Sequence, residues 1–480
     1  MPAQPAPGTD PAPGKGTGTA LPPLAGGADG ATALRPLLDT VLAALQQGAA
    51  ARRGPLPSGG PEAVTARVRA ALNDPGVLPE QGTGPTEALT TLVRLLAEGA
   101  ADPADPRCAA HLHTPPLALA TAADLAASAL NPSLDSWDQA PAASALEAHL
   151  TRALAAGLYP GRAGADAVVT TGGTESNQVA VLLARERHTR PVQVLHGANA
   201  HHSIPRAAWL LGLPPAIALP TPGGILDPAA LDEALSSLTG PVLVTATAGT
   251  TDAGLIDPLP ALADTCDRHH ADLHVDAAYG GLLALSGNPR HRALLTGLER
   301  ARSLTLDLHK LGWQPVAAGL LAVPDAALLT PLGHQADYLN PADDTEAGLP
   351  DLLGRSLRTT RRADALKIAA TFRALGRDGL TQLLDRTLEA AHRLATLLEA
   401  HPRFELHAAP TLSTVLFRPT GTTDEDLAAL RRTLLHGGHA VLGRATAAGR
   451  LWLKATLLNP HTTQADLHAL VTLLEGSTHR

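Results

Sequence analysis

The sequence has few aromatic side chains, only two cysteines and no surplus of basic residues. Phenylalanine, tyrosine and tryptophan make up 2% of the 480 residues, and the formal net charge is −8. A negatively charged chain lacks the basic surface that wraps nucleic acid or grips anionic lipid, so both roles are disfavoured. Cys108 and Cys266 are too few for a disulfide framework and lack metal-ligand spacing. We therefore expect reduced thiols, no metal site and a cytoplasmic location.

Long apolar runs are absent as well. No uninterrupted stretch reaches the roughly 18 residues that a membrane span needs. The first residues also lack the basic and then apolar pattern of a secretion signal, so we expect neither membrane insertion nor secretion. A chain of 480 residues is long enough for a large core and for more than one domain or lobe.

The N-terminal part changes character near residue 30. Residues 1–30 are rich in proline, glycine and alanine and have no apolar period, which predicts a disordered tail. From residue 31 leucines recur at helical spacing, and further helices are predicted at 61–72 and 86–97. We therefore expect an N-terminal helical segment over residues 31–105.

Strand and helix patterns alternate after a loop-like stretch at residues 106–116. The predicted strands include 167–171, 191–195, 241–247, 303–308 and 318–323. This alternation predicts an α/β fold with a mainly parallel sheet and crossover helices. Helical patterns from 363 to 400 lead into strands at 411–417 and 451–458. We therefore predict a large domain over residues 106–385 and a small C-terminal α+β domain over residues 386–480.

Lys310 stands at the end of one of the predicted strands. The alternating stretch 303–308 delivers His309 and Lys310 to the strand end, where open α/β sheets bind ligands. An isolated His-Lys pair would more simply be a surface feature. A second apolar strand, however, ends in Asp276. A covalent lysine together with an acid for a pyridinium nitrogen is the pair that pyridoxal phosphate (PLP) requires.

A phosphate site is predicted where a strand meets a helix. Gly172, Gly173 and Thr174 lie between them, so the backbone, a hydroxyl and the helix N-terminus can meet a phosphate. A tight connection is the alternative interpretation of this turn. A dinucleotide fold is disfavoured because neither the glycine spacing nor the position fits. A buried Asp276 without a cationic partner would be costly, and a protonated pyridine nitrogen would supply that partner.

These residues occur in an order that resembles the group II PLP-dependent amino acid decarboxylases. The resemblance rests on Gly173-Thr174, His201, Thr251, Asp276, Lys310 and Tyr338. It extends from residue 31 to the C-terminus and implies a fold-type I PLP enzyme that forms a homodimer with shared active sites. Residues 131–141 and 337–367 are similar to the diaminobutyrate-type members. The implied substrate is therefore a basic aliphatic diamino acid such as 2,4-diaminobutyrate, with ornithine or lysine next.

The resemblance also implies which residues bind the cofactor. They are Gly173, Thr174, His201, Thr251, Asp276, Ala278, Ser303, Asp307, His309 and Lys310. Lys310 is the implied covalent anchor, Asp276 opposes the ring nitrogen, and His201 and Ala278 enclose the ring. Asp307 departs from the aromatic-type members, which have an asparagine there, and an anion is poorly suited to bind phosphate directly. Its role is therefore open.

Substrate contacts are implied on two segments. Thr114 falls on the position that meets the substrate carboxylate, and His111 and His113 lie in the same loop. Tyr338 falls on the lid tyrosine of the family, the implied proton donor to the substrate carbon. Taken without the resemblance, His201 also fits a satisfied structural histidine and Thr251 a turn hydroxyl.

Three other functions are compatible with the residues. The first is decarboxylation of glutamate or of an aromatic amino acid. The second is another fold-type I PLP enzyme, an aminotransferase or a lyase, which would share the lysine and the aspartate but not the tyrosine lid. The third is a non-catalytic binding protein that keeps the fold.

Overall fold

The computed structural model describes residues 21–73, 76–334, 336 and 338–477. It begins with α1 (Gly30–Arg52), α2 (Gly60–Leu72) and α3 (Pro85–Gly99), the helices that the leucine spacing predicts. Of the predicted tail, residues 1–20 lie outside the described residues, and 21–29 form only turns and bends before α1. No helix within the described ranges is long and apolar enough to cross a bilayer.

The helices α1 and α3 pack closely because α1 has a glycine, Gly48, where the two helices meet. A Cβ added at Gly48 would lie 2.6 Å from the Arg94 carbonyl oxygen, so only glycine allows this approach. Arg52, at the end of α1, donates a 2.8 Å hydrogen bond to the Ala97 carbonyl and pairs with Asp102. A glycine contact and one arginine therefore hold the two helices together.

The stretch predicted as a loop at residues 106–116 contains a short strand. After β1 (Cys108–Ala109) come α4 (Ala118–Leu130) and α5 (Pro141–Leu158). Cys108 and Ala109 pair in parallel with Val441 and Leu442 of the C-terminal part. The loop prediction is therefore wrong for these two residues. A pairing between such distant positions leaves no local period in the sequence.

The large sheet has seven strands and is mainly parallel. They are β2 (Asp166–Thr170), β3 (Gln193–Gly197), β4 (Ile217–Leu219), β5 (Val242–Thr247), β6 (Asp272–Asp276), β7 (Ser303–Asp307) and β8 (Gly319–Val323). Their order is β2-β8-β7-β6-β5-β3-β4. Strand β8 runs in the direction opposite to the other six strands. Strands buried on both faces, such as β5 and β7, are apolar-rich because helices cover them. The predicted α/β fold class is confirmed.

Helices connect and cover these strands. They are α6 (Gly173–Arg187), α7 (Ser203–Leu210), α8 (Pro228–Ser237), α9 (Leu259–His269), α10 (Pro289–Ala293) and α11 (Ala342–Glu346). The long α12 (Ala365–Ala400) then leads into the C-terminal part and bends at Gly376, where φ is 61°. Only glycine adopts that conformation without strain, so Gly376 accounts for the bend.

The C-terminal part builds a second sheet with its own core. Its elements are β9 (Phe404–Leu406), β10 (Thr414–Pro419), α13 (Asp424–His436), β11 (Val441–Ala447), β12 (Arg450–Thr456) and α14 (Gln464–Ser477). The strand order is β1-β11-β12-β10-β9, so β1 extends this smaller sheet. Leu394, Phe417, Leu453 and Leu470 belong to its core.

The core of the large sheet offers a test of the fold. Leu304 in β7 is fully buried, whereas Leu78 is 96% exposed. We predict that Leu304→Ala lowers the free energy of unfolding by about 2–5 kcal/mol, because it leaves a cavity. Leu78→Ala is the matched control and should change it by no more than about 0.5 kcal/mol. Urea unfolding followed by circular dichroism measures both, and equal effects would contradict the predicted core.

Candidate active site

A cavity of about 380 Å³ lies where β5, β6 and β7 end and α6 begins. Parallel strands bring their carboxyl ends to one edge, where open α/β sheets bind ligands. Nine of the ten predicted cofactor residues line it: Gly173, Thr174, His201, Thr251, Asp276, Ala278, Asp307, His309 and Lys310. Ser303 is the exception. A larger cavity of about 610 Å³, beside the first residues of β6, is lined by none of the ten.

Lys310 reaches the cavity from the turn that follows β7. Its backbone N–H donates to the Asp307 carbonyl, and its Nζ lies 2.9 Å from Asp307 Oδ2. The chain contains only four lysines, at 15, 310, 367 and 454. Of the three that the structure describes, at 310, 367 and 454, only Lys310 is in the cavity lining. A covalent bond to an amine in this cavity would therefore form at Lys310.

Asp307 is the ion-pair partner of that lysine. Its side chain is 4% exposed, and its Oδ1 has no hydrogen-bond partner within the described structure. A Cβ added at Gly173 would lie 3.2 Å from Asp307 Oδ2, so the carboxylate packs against the glycine turn. The sequence left the role of Asp307 open; in the structure its carboxylate pairs with the Lys310 ammonium.

The glycine turn before α6 forms the phosphate-sized end of the cavity. Gly172 has φ 155° and ψ −178°, a region that is open to glycine alone. Side chains at Gly172 and Gly173 would lie 2.9 Å from the His309 ring and 3.1 Å from Ala278 Cβ. Thr174 is in the first turn of α6, whose free N–H groups and dipole favour an anion.

Asp276 ends β6 as a buried carboxylate held by N–H donors. Its Oδ2 accepts a 2.8 Å bond from Asn177 Nδ2, and its Oδ1 accepts a 3.1 Å bond from the Ala278 N–H. Within the residues that the structure describes, Asp276 makes no ion pair. A cationic ring nitrogen would supply the missing charge partner.

His201 precedes α7 at the side of the cavity. Its Nδ1 lies 2.8 Å from Ser203 Oγ, and its ring lies 4.2 Å from the His202 ring, centroid to centroid. Burial is the main cause that lowers the pKa of His201, and the charge of Asp276 opposes it. Burial likewise lowers the pKa of His309, so both rings favour the neutral form.

Thr251 forms the edge of the cavity that faces the C-terminal part. Its carbonyl oxygen accepts a 2.9 Å hydrogen bond from Lys454 Nζ, on β12. Lys454 is buried, and desolvation lowers its pKa. Sequence reasoning missed Lys454, because nothing in the local pattern of β12 shows that it meets the turn after β5.

Ser303 requires a correction. It is the first residue of β7, at the opposite end of the strand from Asp307, and its hydroxyl lies 2.8 Å from His274 Nδ1. Ser303 therefore does not reach the phosphate-sized end of the cavity. The prediction that Ser303 binds the cofactor was wrong, because Ser303 begins β7 whereas the cavity lies where β7 ends.

The predicted substrate residues lie outside the cavity lining. Thr114 is buried and its hydroxyl faces the Leu458 carbonyl at 3.5 Å, while His111 and His113 are exposed. Their neighbour Leu112 does line the cavity. Tyr338 is 81% exposed and does not line it. These four assignments stay predictions.

Sequence reasoning also missed a layer of buried polar residues below the cavity. It consists of Asn177, Ser203, His274 and Thr305, all fully buried. Asn177 lies within hydrogen-bond distance of the other three. Of the four, it is the one that also lines the cavity. Polar residues on otherwise apolar strands, such as His274 in β6, were the available signal.

Known proteins share this arrangement over most of the chain. Residues 75–420 match the family described as the pyridoxal-dependent decarboxylase conserved domain. The chain belongs to the pyridoxal-dependent decarboxylase family. The predicted resemblance is thereby confirmed, and the cofactor is PLP.

Two curated relatives are similar over most of their length. The L-2,4-diaminobutyrate decarboxylase of Rhizobium meliloti (strain 1021) is 42% identical over 430 residues, 86% of each chain. The enzyme of that name from Acinetobacter baumannii is 32% identical over 440 residues, 84% of this chain and 85% of the relative.

A solved structure also superposes on nearly the whole chain. It is the glutamate decarboxylase domain of diaminobutyrate-pyruvate transaminase and L-2,4-diaminobutyrate decarboxylase from Vibrio parahaemolyticus. The TM-score is 0.83 at 30% identity, covering 95% of this chain and 97% of the other.

The cavity fits PLP by its donor set. The glycine turn leaves space that a Cβ would fill, Asp276 is a buried carboxylate that lacks a cation, and Lys310 offers the amine. The glycine turn matches the phosphate of PLP, the acid matches the ring nitrogen, and the lysine matches the aldehyde.

We predict that Lys310→Ala abolishes turnover and removes the covalent adduct that borohydride traps with PLP. Mass spectrometry of the reduced protein measures the adduct. Lys454→Met is the matched control, since it removes another buried lysine beside the cavity and should keep the adduct. An adduct at Lys367 or Lys454 in Lys310→Ala would contradict the assignment of the anchor.

Proposed function

We propose that this decarboxylase acts on a basic aliphatic L-amino acid, first of all L-2,4-diaminobutyrate, with ornithine or lysine next. The observation that carries the proposal is the 42% identity, over 86% of both chains, to a relative named for that substrate. The product would be carbon dioxide and the corresponding diamine.

The charged groups of the cavity do not provide a partner for a distal carboxylate. Among the described residues that line it, Lys310 is the one lysine or arginine, and it pairs with Asp307. A glutamate-type enzyme would need a cation for the distal carboxylate, and His111 and His113 are the two histidines that could serve if protonated. Burial lowers the pKa of His111, and the nearby charges of Lys454 and Arg431 lower it further. His111 is therefore poorly suited to serve as that cation.

The two segments that resemble the diaminobutyrate-type members carry four acids that could meet a distal ammonium. They are Asp135, Asp138, Asp343 and Asp344, and none of them is among the described residues that line the cavity. Asp135 is buried, accepts a 3.0 Å bond from Ser133 and keeps one oxygen without a partner within the described structure. Asp343 and Asp344 lie exposed on α11. The substrate proposal therefore rests on the relatives rather than on these acids.

Residue roles follow from the cavity. When bound, PLP accepts the electron pair that remains when carbon dioxide leaves the substrate. Lys310 would hold the cofactor covalently, and Asp276, which accepts two N–H hydrogen bonds, would face the ring nitrogen. Gly173 and Thr174 would bind the phosphate.

Other residues would orient the ring and the substrate. His201 and Ala278 would enclose the ring, with Thr251 and His309 beside the cofactor. Thr114 is proposed for the substrate carboxylate. Tyr338 would return a proton to the substrate carbon, which requires its exposed segment to come to the cavity.

We predict that this selectivity appears in a competition assay. Equal concentrations of 2,4-diaminobutyrate, ornithine, lysine, glutamate and tyrosine are offered to limiting holoenzyme, and the amines are separated by chromatography. The diamine from 2,4-diaminobutyrate should dominate, because both relatives named for that substrate are similar over most of this chain. Preferential consumption of glutamate or tyrosine would contradict the diamino-acid proposal without affecting the family assignment.

The family resemblance further supports a homodimer in the cytoplasm. The N-terminal helices carry exposed leucines that a monomer would leave in water: Leu42 and Leu45 on α1, and Leu92 and Leu96 on α3. A patch of this kind is typical of an interface. The division into residues 31–105, 106–385 and 386–480 is proposed with it, the first segment serving the contact.

We predict that Leu96→Glu, at a position 75% exposed, shifts the protein from dimer to monomer. A charge at the centre of an apolar contact would be desolvated without a partner. Sedimentation velocity measures the state. Leu210→Glu, at the end of α7 and 57% exposed, is the control and should sediment as the unchanged protein does. A monomeric wild-type protein would contradict the proposal outright.

A further inference from the structure

We propose that Asn177 is a positioning residue. Its side-chain amide orients the two protein groups that would meet the cofactor ring, the Asp276 carboxylate and the His201 imidazole. The inference rests on the ring contacts proposed above for those two residues. Within the described structure, the Asn177 side chain makes no hydrogen bond to Lys310. Its action would pass through its two partners.

All four hydrogen-bonding positions of the Asn177 amide are used. The Nδ2 group donates to Asp276 Oδ2 and to Ser203 Oγ, both at 2.8 Å. The Oδ1 accepts from Thr305 Oγ1 at 2.7 Å and faces His274 Nε2 at 3.0 Å. An amide has two hydrogens and two lone pairs to offer, so Asn177 is saturated. The reversed amide would turn an oxygen toward the Asp276 carboxylate, which is repulsive.

The Asp276 carboxylate fixes this orientation, because it can only accept and therefore requires the amide NH2 on its side. His274 lies on the oxygen side of the amide, with Nε2 3.0 Å from Asn177 Oδ1. It is fully buried, and burial lowers its pKa to about 4, so the ring is neutral. Its Nδ1 lies 2.8 Å from Ser303 Oγ and 3.1 Å from the Ser303 carbonyl oxygen.

A second branch leads from Asn177 to His201. Ser203 Oγ accepts from Asn177, which leaves its own hydrogen for His201 Nδ1 at 2.8 Å. The Ser203 backbone N–H approaches the same nitrogen at 3.3 Å. With Nδ1 occupied as an acceptor, the hydrogen of the neutral ring lies on Nε2. The serine thus selects one tautomer of the histidine.

The two branches have different consequences for the ring. A donor to Asp276 stabilises the ionised carboxylate, which is the form that keeps a proton on the ring nitrogen. Without it, the carboxylate keeps one of its two donors, the Ala278 N–H. The Ser203 branch leaves Asp276 unchanged and acts on His201 alone. Asn177 is the residue at which the branches meet.

Three variants of the holoenzyme separate these effects. Asn177→Leu removes both branches, and Ser203→Ala removes the histidine branch. Ser176→Ala is the matched control, since Ser176 is an equally buried serine in α6 whose hydroxyl pairs at 2.7 Å with Thr170. Nitrogen-15 NMR with ring-labelled PLP reports the proton on the ring nitrogen. Labelled histidine, assigned with His201→Gln, reports the tautomer.

We expect the ring nitrogen of bound PLP to lose its proton in Asn177→Leu, with kcat reduced about tenfold or more, as for the loss of a hydrogen bond to a charged group. Ser203→Ala should keep the ring proton and lose the single His201 tautomer. Ser176→Ala should keep both signals. If Asn177→Leu yields no soluble protein, Asn177→Ala carries the same expectations.

Two outcomes are decisive. Unchanged ring-nitrogen and His201 signals in the Asn177 variant, equal to those of Ser176→Ala, would overturn the inference and leave Asn177 a packing residue. Asp276→Asn is measured alongside. If that variant also keeps the ring proton, the proposed role of Asp276 fails first, and the inference about Asn177 falls with it.

Discussion

The parallel pairing of β6 with β7 is the constraint on which the site depends. Its register places Asp276 beside Thr305, so the acid that ends β6 lies next to the strand that delivers Asp307 and Lys310. A slip by one residue would turn both ends to the opposite face of the sheet. Gly281, shortly after β6, packs closely against Leu306 of β7: a Cβ added at Gly281 would lie 2.7 Å from Leu306 Cγ. This contact helps to hold the register.

The cavity then has to accommodate two carboxylates that are both buried. They are stabilised in different ways: Asp276 by two N–H donors and Asp307 by the Lys310 ammonium. Neutral donors leave a net negative charge, which suits a cationic ring nitrogen, whereas the ion pair is already balanced. The two acids are therefore not equivalent, and only Asp276 has the electrostatics of a cofactor partner.

Local patterns predicted what depends on one strand and the turn after it. The strands that end in Asp276 and Asp307, the glycine turn at Gly173 and the lysine at the strand end belong to this class. Contacts between distant segments were not predictable, because their partners leave no period in the sequence. Cys108 in the smaller sheet, Lys454 against Thr251 and Asn177 between two strands are such contacts. Ser303 was misassigned for another reason, since it begins β7 whereas the cavity lies where β7 ends.

The floor and the edge of the cavity are held by different kinds of contact. The floor residues Asn177, Ser203, His274 and Thr305 are fully buried, and all four hydrogen-bonding positions of Asn177 are used, so a substitution there leaves an unsatisfied group. The edge at Thr251 is held from the second sheet, where Lys454 donates to the Thr251 carbonyl. A substitution in the floor is therefore expected to disturb Asp276 and His201, whereas the edge depends on how the two sheets meet.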